Sequence, residues 1–317
     1  MTTAFVFPGQ GTQRVGMGRS LYGRYDVARA VFDRASAVLG FDVAATCFRG
    51  SPDELRATRV AQPTIFVVNA AALAVARTWG VLPDCVAGHS VGEISALHAA
   101  GVLGFEEALR VVRRRAEIMA RVTADGAMVS VVGLERAGVL AVCEHARERG
   151  PVCIGLHNGP QHYVLSGASA AVGRAVQLCC ELGAIKVTRL QTEHAFHSPL
   201  MAPAMNEWRE FVATVSLAAP DVPVALNTTG ELAADTDEIR RALIDQVGST
   251  VRWCECVQTL ARLGATRFVE VGDTKVLGAL VRAVDRELTT VTMADPRARR
   301  RLEGVPAAAG GGGDALS

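Results

Sequence analysis

The stretch DCVAGHSVGEISALHAA, residues 84–100, decides the fold of this chain. Apolar residues 85–88 predict a short buried strand, and the pattern from residue 91 onward predicts a helix. Ser90 lies between them, flanked by Gly88 and Gly92 in the pattern Gly-x-Ser-x-Gly. This pattern is typical of a sharp turn that strains the serine and leaves no room for side chains two residues away. The stretch therefore predicts an α/β sheet with a serine at the edge where a strand ends.

The position of Ser90 also suggests a chemical role. A hydroxyl at a helix N-terminus lies near backbone N–H groups and the positive end of the helix dipole, which favour negative charge. This predicts a nucleophilic serine. The alternative at this point is that Ser90 only caps the helix.

A nucleophilic serine needs a base, and the chain has seven histidines. His98 and His145 lie on predicted helices, and His89 flanks the serine in the turn. The stretch HAFHSPLM, residues 194–201, precedes a helix where a loop residue could face a cleft. His197 is the candidate base, although spacing alone leaves the other histidines open.

The pattern of elements changes twice along the chain. Strand and helix signals alternate over residues 1–125 and 193–295, which predicts one large α/β subdomain with a parallel sheet. Residues 126–192 follow the order β-α-β-β-α-β, which is the ferredoxin-like unit, and we predict an inserted small subdomain there. Residues 296–317 are of low complexity and predict a flexible glycine-rich tail.

Composition excludes several classes of function. The 317 residues carry a formal net charge of +1, which gives no reason to expect binding to nucleic acid or to a membrane. The eight cysteines lack the spacing of a metal site and are expected to be reduced core thiols. The N-terminus has no leader pattern and no run approaches a membrane span, so a cytoplasmic location is expected.

Several separate motifs together resemble one known family. They occur in order, with Arg115 after the second of them: FPGQGTQ at 7–13, GHSVGE at 88–93, HAFHSPLM at 194–201, QVGSTVRW at 246–253 and EVGDTKVL at 270–277. The chain resembles malonyl-CoA:acyl-carrier-protein transacylases, and among them the acyltransferase domains of polyketide synthases. The resemblance covers residues 4–295 and implies an α/β-hydrolase-like large subdomain with a ferredoxin-like insertion.

The resemblance implies a catalytic role for five residues. Ser90 would attack the thioester of an acyl-CoA, and His197 would take the proton and return it to the leaving thiol. A main-chain carbonyl, here of Gln246, would orient the histidine, so that the side chain at 246 matters little. The backbone N–H groups of Gln10 and Val91 would form the oxyanion hole. No cofactor is implied, since the CoA thioester is a substrate.

The resemblance also implies a substrate-binding set. Arg115 would hold the carboxylate of a dicarboxylic acyl group through two parallel hydrogen bonds, while the adjacent Arg113 and Arg114 belong to a solvated helix face. Phe196 would fill the space that an α-methyl group needs, which favours malonyl. His194 is either a pocket wall or a loop hydrogen bonder. Two polar residues, Asn158 and Asn227, are expected near the cleft, although Asn158 also fits a turn.

The setting of the reaction stays open between two pathways. The few residues before the first motif and the glycine-rich segment after the last one suggest a discrete, monomeric enzyme that acts in trans on a separate acyl carrier protein. The HAFHSPLM stretch favours polyketide synthesis, and fatty-acid synthesis is the alternative. Four arginines on one helix are candidates for carrier docking: Arg110, Arg113, Arg114 and Arg121. The rival interpretations are a serine thioesterase or esterase with the same turn, and a degenerate acyltransferase that only binds the carrier.

Overall fold

The structure, a computed structural model, describes residues 2–303. Within them the chain forms these strands: β1 (Thr2–Phe7), β2 (Cys85–Gly88), β3 (Gly126–Val132), β4 (Val152–Gly159), β5 (His162–Ala168), β6 (Lys186–Arg189), β7 (Val224–Ala225), β8 (Ala265–Glu270) and β9 (Thr289–Thr292). Helices in the first half are α1 (Arg19–Arg24), α2 (Asp26–Leu39), α3 (Val43–Arg49), α4 (Pro52–Arg56), α5 (Thr58–Thr78), α6 (Gly92–Ala99) and α7 (Phe105–Met119). Those that follow are α8 (Arg136–Ala146), α9 (Ser169–Glu181), α10 (Ala202–Ala213), α11 (Thr236–Gln246), α12 (Trp253–Arg262), α13 (Val276–Val284) and α14 (Ala298–Glu303).

The larger sheet is parallel throughout, with strand order β7-β2-β1-β8-β9. Its central strand β1 is an almost continuous apolar run, as expected for a parallel strand that is covered on both faces. Successive side chains point to opposite faces, so Phe5 and Phe7 join the main core while Ala4 and Val6 join the core beneath α12 and α13. This confirms the predicted α/β class and its parallel sheet.

The smaller sheet is antiparallel, with strand order β4-β5-β3-β6. In chain order its elements run β3-α8-β4-β5-α9-β6, which is the ferredoxin-like arrangement. Helices α8 and α9 pack on one face of this sheet around a separate core that contains Val129, Val139 and Leu165. All of these elements lie within residues 126–189, inside the segment predicted as an insertion.

Backbone hydrogen bonds join the edge strand β4 of the smaller sheet to the segment between α11 and α12. The N–H of Val251 donates to the carbonyl of Gly155 at 2.9 Å, and the N–H of His157 donates to the carbonyl of Val251 at 2.9 Å. The hydroxyl of Thr250 adds a bond to the carbonyl of Ile154 at 2.7 Å. The small subdomain is therefore anchored to the segment that follows α11, and the cleft described below lies between the two.

The helix α5 shows why length and composition alone mislead about membranes. It is the one helix among the described residues that is long and apolar enough to cross a bilayer, although no apolar run of that length was predicted from the sequence. Its apolar window is 83 % buried inside the protein, so it is a core helix. It begins at Thr58 and carries Pro63 in its second turn.

The predicted tail begins too early. Residues 298–303 form α14, and Ala298 and Leu302 are buried in the main core. Arg301 also pairs with Asp295 at 3.2 Å. The arginine run concealed this helix, because only two of its side chains reach the core. The rest of the predicted tail, residues 304–317, lies outside the described residues.

Candidate active site

Ser90 occupies the strained turn that the sequence predicted. It follows the end of β2 after one residue, His89, and has a φ of 55°, in the left-handed region. A Cβ on Gly88 would lie 2.0 Å from the carbonyl of Gly92, and a Cβ on Gly92 would lie 2.1 Å from the carbonyl oxygen of Phe7. Glycine is therefore required at both positions, and the turn exposes the hydroxyl at the start of α6.

Two amide side chains hold the peptide groups of Ser90. Its N–H donates to Asn227 Oδ1 at 2.8 Å, while Asn227 Nδ2 donates to the carbonyl of Gly88 at 2.7 Å. On the other side, Gln246 Nε2 donates to the carbonyl of Ser90 at 3.0 Å. Asn227 is fully buried beside the turn and is not among the residues that line the cleft above Ser90, so its contact with a substrate stays a prediction.

His197 lies within hydrogen-bond distance of the serine. Its Nε2 is 2.7 Å from Ser90 Oγ, and its Nδ1 lies 2.8 Å from the carbonyl oxygen of Gln246 and 3.2 Å from that of Ser249. Because carbonyls only accept, Nδ1 carries the hydrogen and Nε2 is left free to accept the serine proton. This is the geometry of a general base that is oriented by main-chain carbonyls.

The environment of His197 keeps the ring neutral. Burial, followed by the positive charge of Arg115, lowers the pKa of His197 to about 3, against hydrogen bonds that raise it. An imidazole that is neutral near pH 7 has its acceptor lone pair available. The residue itself has a φ of 58°, so the base, like the nucleophile, is in a left-handed conformation.

Arg115 is a buried cation beside the nucleophile. Its Nη1 donates to Gln62 Oε1 at 2.9 Å, and its Nη2 donates to Gln246 Oε1 at 2.8 Å and lies 3.4 Å from Ser90 Oγ. Its Nε is buried and has no hydrogen-bond partner within residues 2–303. Burial lowers the pKa of Arg115 to about 10, so the side chain remains charged at neutral pH. The arrangement can receive a carboxylate next to the serine.

The first loop of the chain approaches the serine closely. A Cβ on Gly9 would lie 2.1 Å from the carbonyl oxygen of His89, so only glycine permits this contact. Within residues 2–303 neither the N–H of Gln10 nor that of Val91 donates a hydrogen bond to another group of the protein. Both remain available to a developing oxyanion, where each donor contributes about 3–4 kcal/mol to barrier lowering.

The cleft above Ser90 has mostly apolar walls, which come from both subdomains. The large one supplies Met119 and Phe196, and the small one supplies Met128, Leu156 and Leu190. Such a cavity with a few convergent polar groups is the usual form of a small-molecule site.

Two predicted substrate residues lie outside this cleft. His194 does not line it but packs edge-on against the ring of Phe196, with centroids 5.6 Å apart. Asn158 is part of β4, not of a turn, and its Oδ1 accepts a hydrogen bond from His89 Nε2 at 2.8 Å. Both residues therefore support residues of the cleft wall, and their contact with a substrate stays a prediction.

Comparison with known proteins identifies the family. The family model described as "Acyl transferase domain" matches residues 4–302. The chain belongs to the acyl transferase family. It is 37 % identical over 296 residues to the malonyl CoA-acyl carrier protein transacylase of Bacillus subtilis. This match covers 92 % of this chain and 93 % of that protein.

Two further relatives connect the family to polyketide synthesis. The polyketide biosynthesis protein ThaF of Burkholderia thailandensis is 38 % identical over 89 % of this chain and 24 % of that protein. A solved complex of a type II polyketide synthase acyl-carrier protein with its malonyl-transacylase superimposes with a TM-score of 0.92. It is 31 % identical in sequence, and the match covers 95 % of this chain and 99 % of the solved one.

The sequence did not predict a role for two buried residues near the active site of this acyltransferase. Gln62, on α5, accepts from Arg115 and donates to Gln10 Oε1 at 3.1 Å. Glu93, in the first turn of α6, accepts hydrogen bonds from Gln246 Nε2 and from the N–H of Asn227. The signal for Glu93 was its place in GHSVGE. The only sequence signal for Gln62 was that it is a polar residue in an apolar helix.

The arginines that were suggested for carrier docking, on α7 and directly after it, all pair with glutamates. Arg110 pairs with Glu107, Arg113 with Glu117, and both Arg114 and Arg121 with Glu207. This local pairing weakens the suggestion that they form a basic patch. It agrees with the expectation that Arg113 and Arg114 belong to a solvated helix face, apart from Arg115.

Proposed function

We propose that this acyltransferase transfers a malonyl group from CoA, through an ester on Ser90, to the phosphopantetheine thiol of an acyl carrier protein. The observation that carries the proposal is the guanidinium of Arg115, buried 3.4 Å from Ser90 Oγ and short of one hydrogen-bond partner. The relatives that share the fold over nearly the whole chain are malonyl transacylases by name.

The first half of the reaction loads the enzyme. Ser90 Oγ attacks the thioester carbonyl while its proton passes to His197 Nε2, and the carbonyl oxygen becomes an oxyanion held by the N–H groups of Gln10 and Val91. Collapse breaks the carbon–sulfur bond. His197 then gives its proton to the leaving CoA thiolate, which leaves an acyl ester on Ser90 and a neutral imidazole.

The second half repeats these steps with the carrier thiol as the nucleophile. The thiol gives its proton to His197 Nε2 and attacks the ester carbonyl. Ser90 Oγ leaves and recovers the proton. No net proton is gained or lost, so one neutral histidine serves both halves.

Selection of malonyl follows from the cleft. The carboxylate would bind Arg115 bidentately, and this pairing fixes the acyl group relative to Ser90. The buried ring of Phe196 forms part of the wall and restricts the space for an α-substituent. An apolar wall distinguishes one methylene by only about 1–3 kcal/mol, so selection against methylmalonyl is expected to be incomplete.

The polyketide setting, in trans, is the finer part of the proposal. It is supported by the HAFHSPLM stretch around His197 and by the relatives from polyketide synthesis. Its test is a competition between a polyketide and a fatty-acid carrier protein of the same source for the loaded enzyme. Faster transfer to the fatty-acid carrier would favour the alternative setting.

The test of the acyl-enzyme is the intact mass after incubation with malonyl-CoA. A stable gain of about 86 Da is expected for the malonyl ester, because covalent catalysis leaves the acyl group on the nucleophile. Ser90→Ala should show no gain. Rapid release of malonate without an adduct would support the rival hydrolase instead.

A second arm of the test concerns the guanidinium. Arg115→Ala should reduce loading from malonyl-CoA by about 100-fold, since a charge-assisted pair is lost, while loading from acetyl-CoA changes far less. If the wild type prefers acetyl-CoA, the assignment of Arg115 as carboxylate binder is wrong.

A further inference from the structure

Glu93 is a buried carboxylate that touches neither the serine hydroxyl nor the cleft. It is fully buried in the first turn of α6. One oxygen, Oε1, accepts a hydrogen bond from the backbone N–H of Asn227 at 2.6 Å, and the other, Oε2, accepts one from Gln246 Nε2. Both carboxylate oxygens therefore act as acceptors, toward the two residues that hold the peptide groups of Ser90.

We propose that Glu93 is a positioning residue that fixes the amides of Gln246 and Asn227, and through Gln246 sets the preference of Arg115 for carboxylated acyl groups. This inference rests on the proposed function. It assigns to the same site a residue that acts through others.

The amide of Gln246 can point only one way while Glu93 accepts from it. Its Nε2 faces Glu93 and the carbonyl of Ser90, which leaves Oε1 to accept from Arg115 Nη2 at 2.8 Å. A rotated amide would turn its NH₂ toward the guanidinium. Two donors would then face each other in a buried site, which costs the full desolvation of both.

Asn227 depends on the same carboxylate through its backbone. The bond from its N–H to Glu93 places the residue so that its side chain spans the turn, accepting from the N–H of Ser90 and donating to the carbonyl of Gly88. A backbone donor cannot be rotated away. Glu93 must therefore keep one acceptor for Asn227, and only its second oxygen is free to orient Gln246.

The carboxylate also supports the charge of Arg115. Burial lowers the pKa of Arg115, and the negative charge of Glu93 opposes this shift. The two groups do not touch, since Gln246 lies between them and accepts from one while donating to the other. A guanidinium held in this way keeps its Nε and part of its Nη2 available to a substrate.

Protonation of Glu93 would imitate the loss of one acceptor. Burial, the largest cause, raises the pKa of Glu93 to about 7, against the bond from Asn227 and the charge of Arg115. The other groups that face this region titrate elsewhere, because the pKa of Arg115 is about 10, that of His197 about 3 and that of Cys256 well above 9. Below neutral pH one carboxyl oxygen becomes a donor, as in glutamine.

The test compares malonyl and acetyl loading in Glu93→Gln. Glutamine keeps the shape but offers one acceptor, so Gln246 is expected to rotate and disturb Arg115. The ratio of kcat/KM for malonyl-CoA to that for acetyl-CoA should fall by about tenfold or more, the effect of one hydrogen bond to a charged group. Loading from acetyl-CoA should fall less, since only the support of Ser90 is weakened.

A pH profile of the same ratio supplies the second measurement. In the wild type the ratio should decrease as the pH falls through about 7, where Glu93 takes up a proton. In Glu93→Gln it should be low and independent of pH between 6 and 8. The wild-type profile keeps the proposal testable if the variant does not fold.

The matched control is Glu270→Gln. Glu270 is also a buried glutamate whose two oxygens accept backbone hydrogen bonds, from Val276 at 3.0 Å and Gly278 at 2.9 Å, at the start of α13. This variant should lower the melting temperature and leave the malonyl-to-acetyl ratio of the folded enzyme unchanged.

The outcomes separate the two proposals. A wild type without preference for malonyl-CoA would overturn the proposed function, whatever Glu93 does. A wild type that prefers malonyl-CoA, together with an unchanged ratio in folded Glu93→Gln or a flat wild-type profile from pH 6 to 8, would overturn the positioning role alone.

Discussion

At the scale of the residue, both reacting side chains stand on strained backbone. Ser90 and His197 are the two non-glycine residues with positive φ within residues 2–303. Each such conformation costs about 1–3 kcal/mol and persists only where the surroundings hold it. Here the surroundings are amide side chains on Ser90 and carbonyls on His197, so the protein's own hydrogen bonds hold both strained conformations.

A stability prediction belongs to His197. Its pKa is about 3 in the folded protein against an ordinary value of 6.5, so the unfolded chain binds the proton more readily between these pH values. The native state therefore loses stability as the pH falls from 6.5 toward 3. In His197→Asn, which tolerates a positive φ, this part of the loss should be absent.

Urea unfolding at pH 7, 6 and 5 measures this difference. The free energy of unfolding of the wild type should fall relative to the variant with a limiting slope of about 1.4 kcal/mol per pH unit. Parallel pH curves for the two proteins would show that the ring is not held neutral by burial.

At the scale of the element, the β2–α6 turn and the first loop form one steric unit. The turn passes so close to the end of β1 that side chains are excluded at Gly92 and Gly9, and the turn itself excludes a side chain at Gly88. The contacts of Gly9 and Gly92 join two segments that lie far apart in the sequence. The sequence predicted the turn correctly because Gly-x-Ser-x-Gly reports a local steric requirement.

Gly88→Ala should be strongly destabilising. Its Cβ would lie 2.0 Å from backbone atoms of Gly92 that cannot move away without breaking the turn. We expect a loss of more than about 3 kcal/mol in the free energy of unfolding, by the strain of overpacking at a fixed backbone.

The matched control for this variant is Gly173→Ala. Gly173 lies within α9, where an added Cβ meets nothing within 4 Å. That change should stabilise the protein by about 0.5–1 kcal/mol, because alanine loses less backbone entropy in a helix. A Gly88→Ala protein as stable as the wild type would contradict the steric argument.

At the scale of the whole molecule, the active site belongs to no single subdomain. Ser90, Arg115 and His197 come from the larger one, while Met128, Leu156 and Leu190 of the cleft wall come from the smaller one. The hydrogen bonds between β4 and Val251 hold the two subdomains together. Gln246 and Ser249, which precede Val251 in the same segment, supply the carbonyls that orient His197. The anchor between subdomains and the support of the base are thus one segment.

The C-terminal helix α14 also belongs to the large core. Leu302 is 3 % exposed, so Leu302→Ala should lower the free energy of unfolding by about 2–4 kcal/mol, through lost burial and a residual cavity. Leu182→Ala provides the comparison, since Leu182 is 55 % exposed and its loss should cost less than about 0.5 kcal/mol. Equal effects in thermal unfolding would mean that α14 does not dock as described.

The sequence by itself determined the elements and the nucleophile, because these depend on local rules. Apolar runs predicted the strands, and glycine spacing predicted the turn. Gln62 and Glu93 were missed and the contacts of Asn227 were not predicted, since the roles of these residues come from partners that only folding brings near. A buried polar group must find partners wherever the fold offers them, so tertiary structure alone decided how Ser90 is held and how Arg115 is aimed.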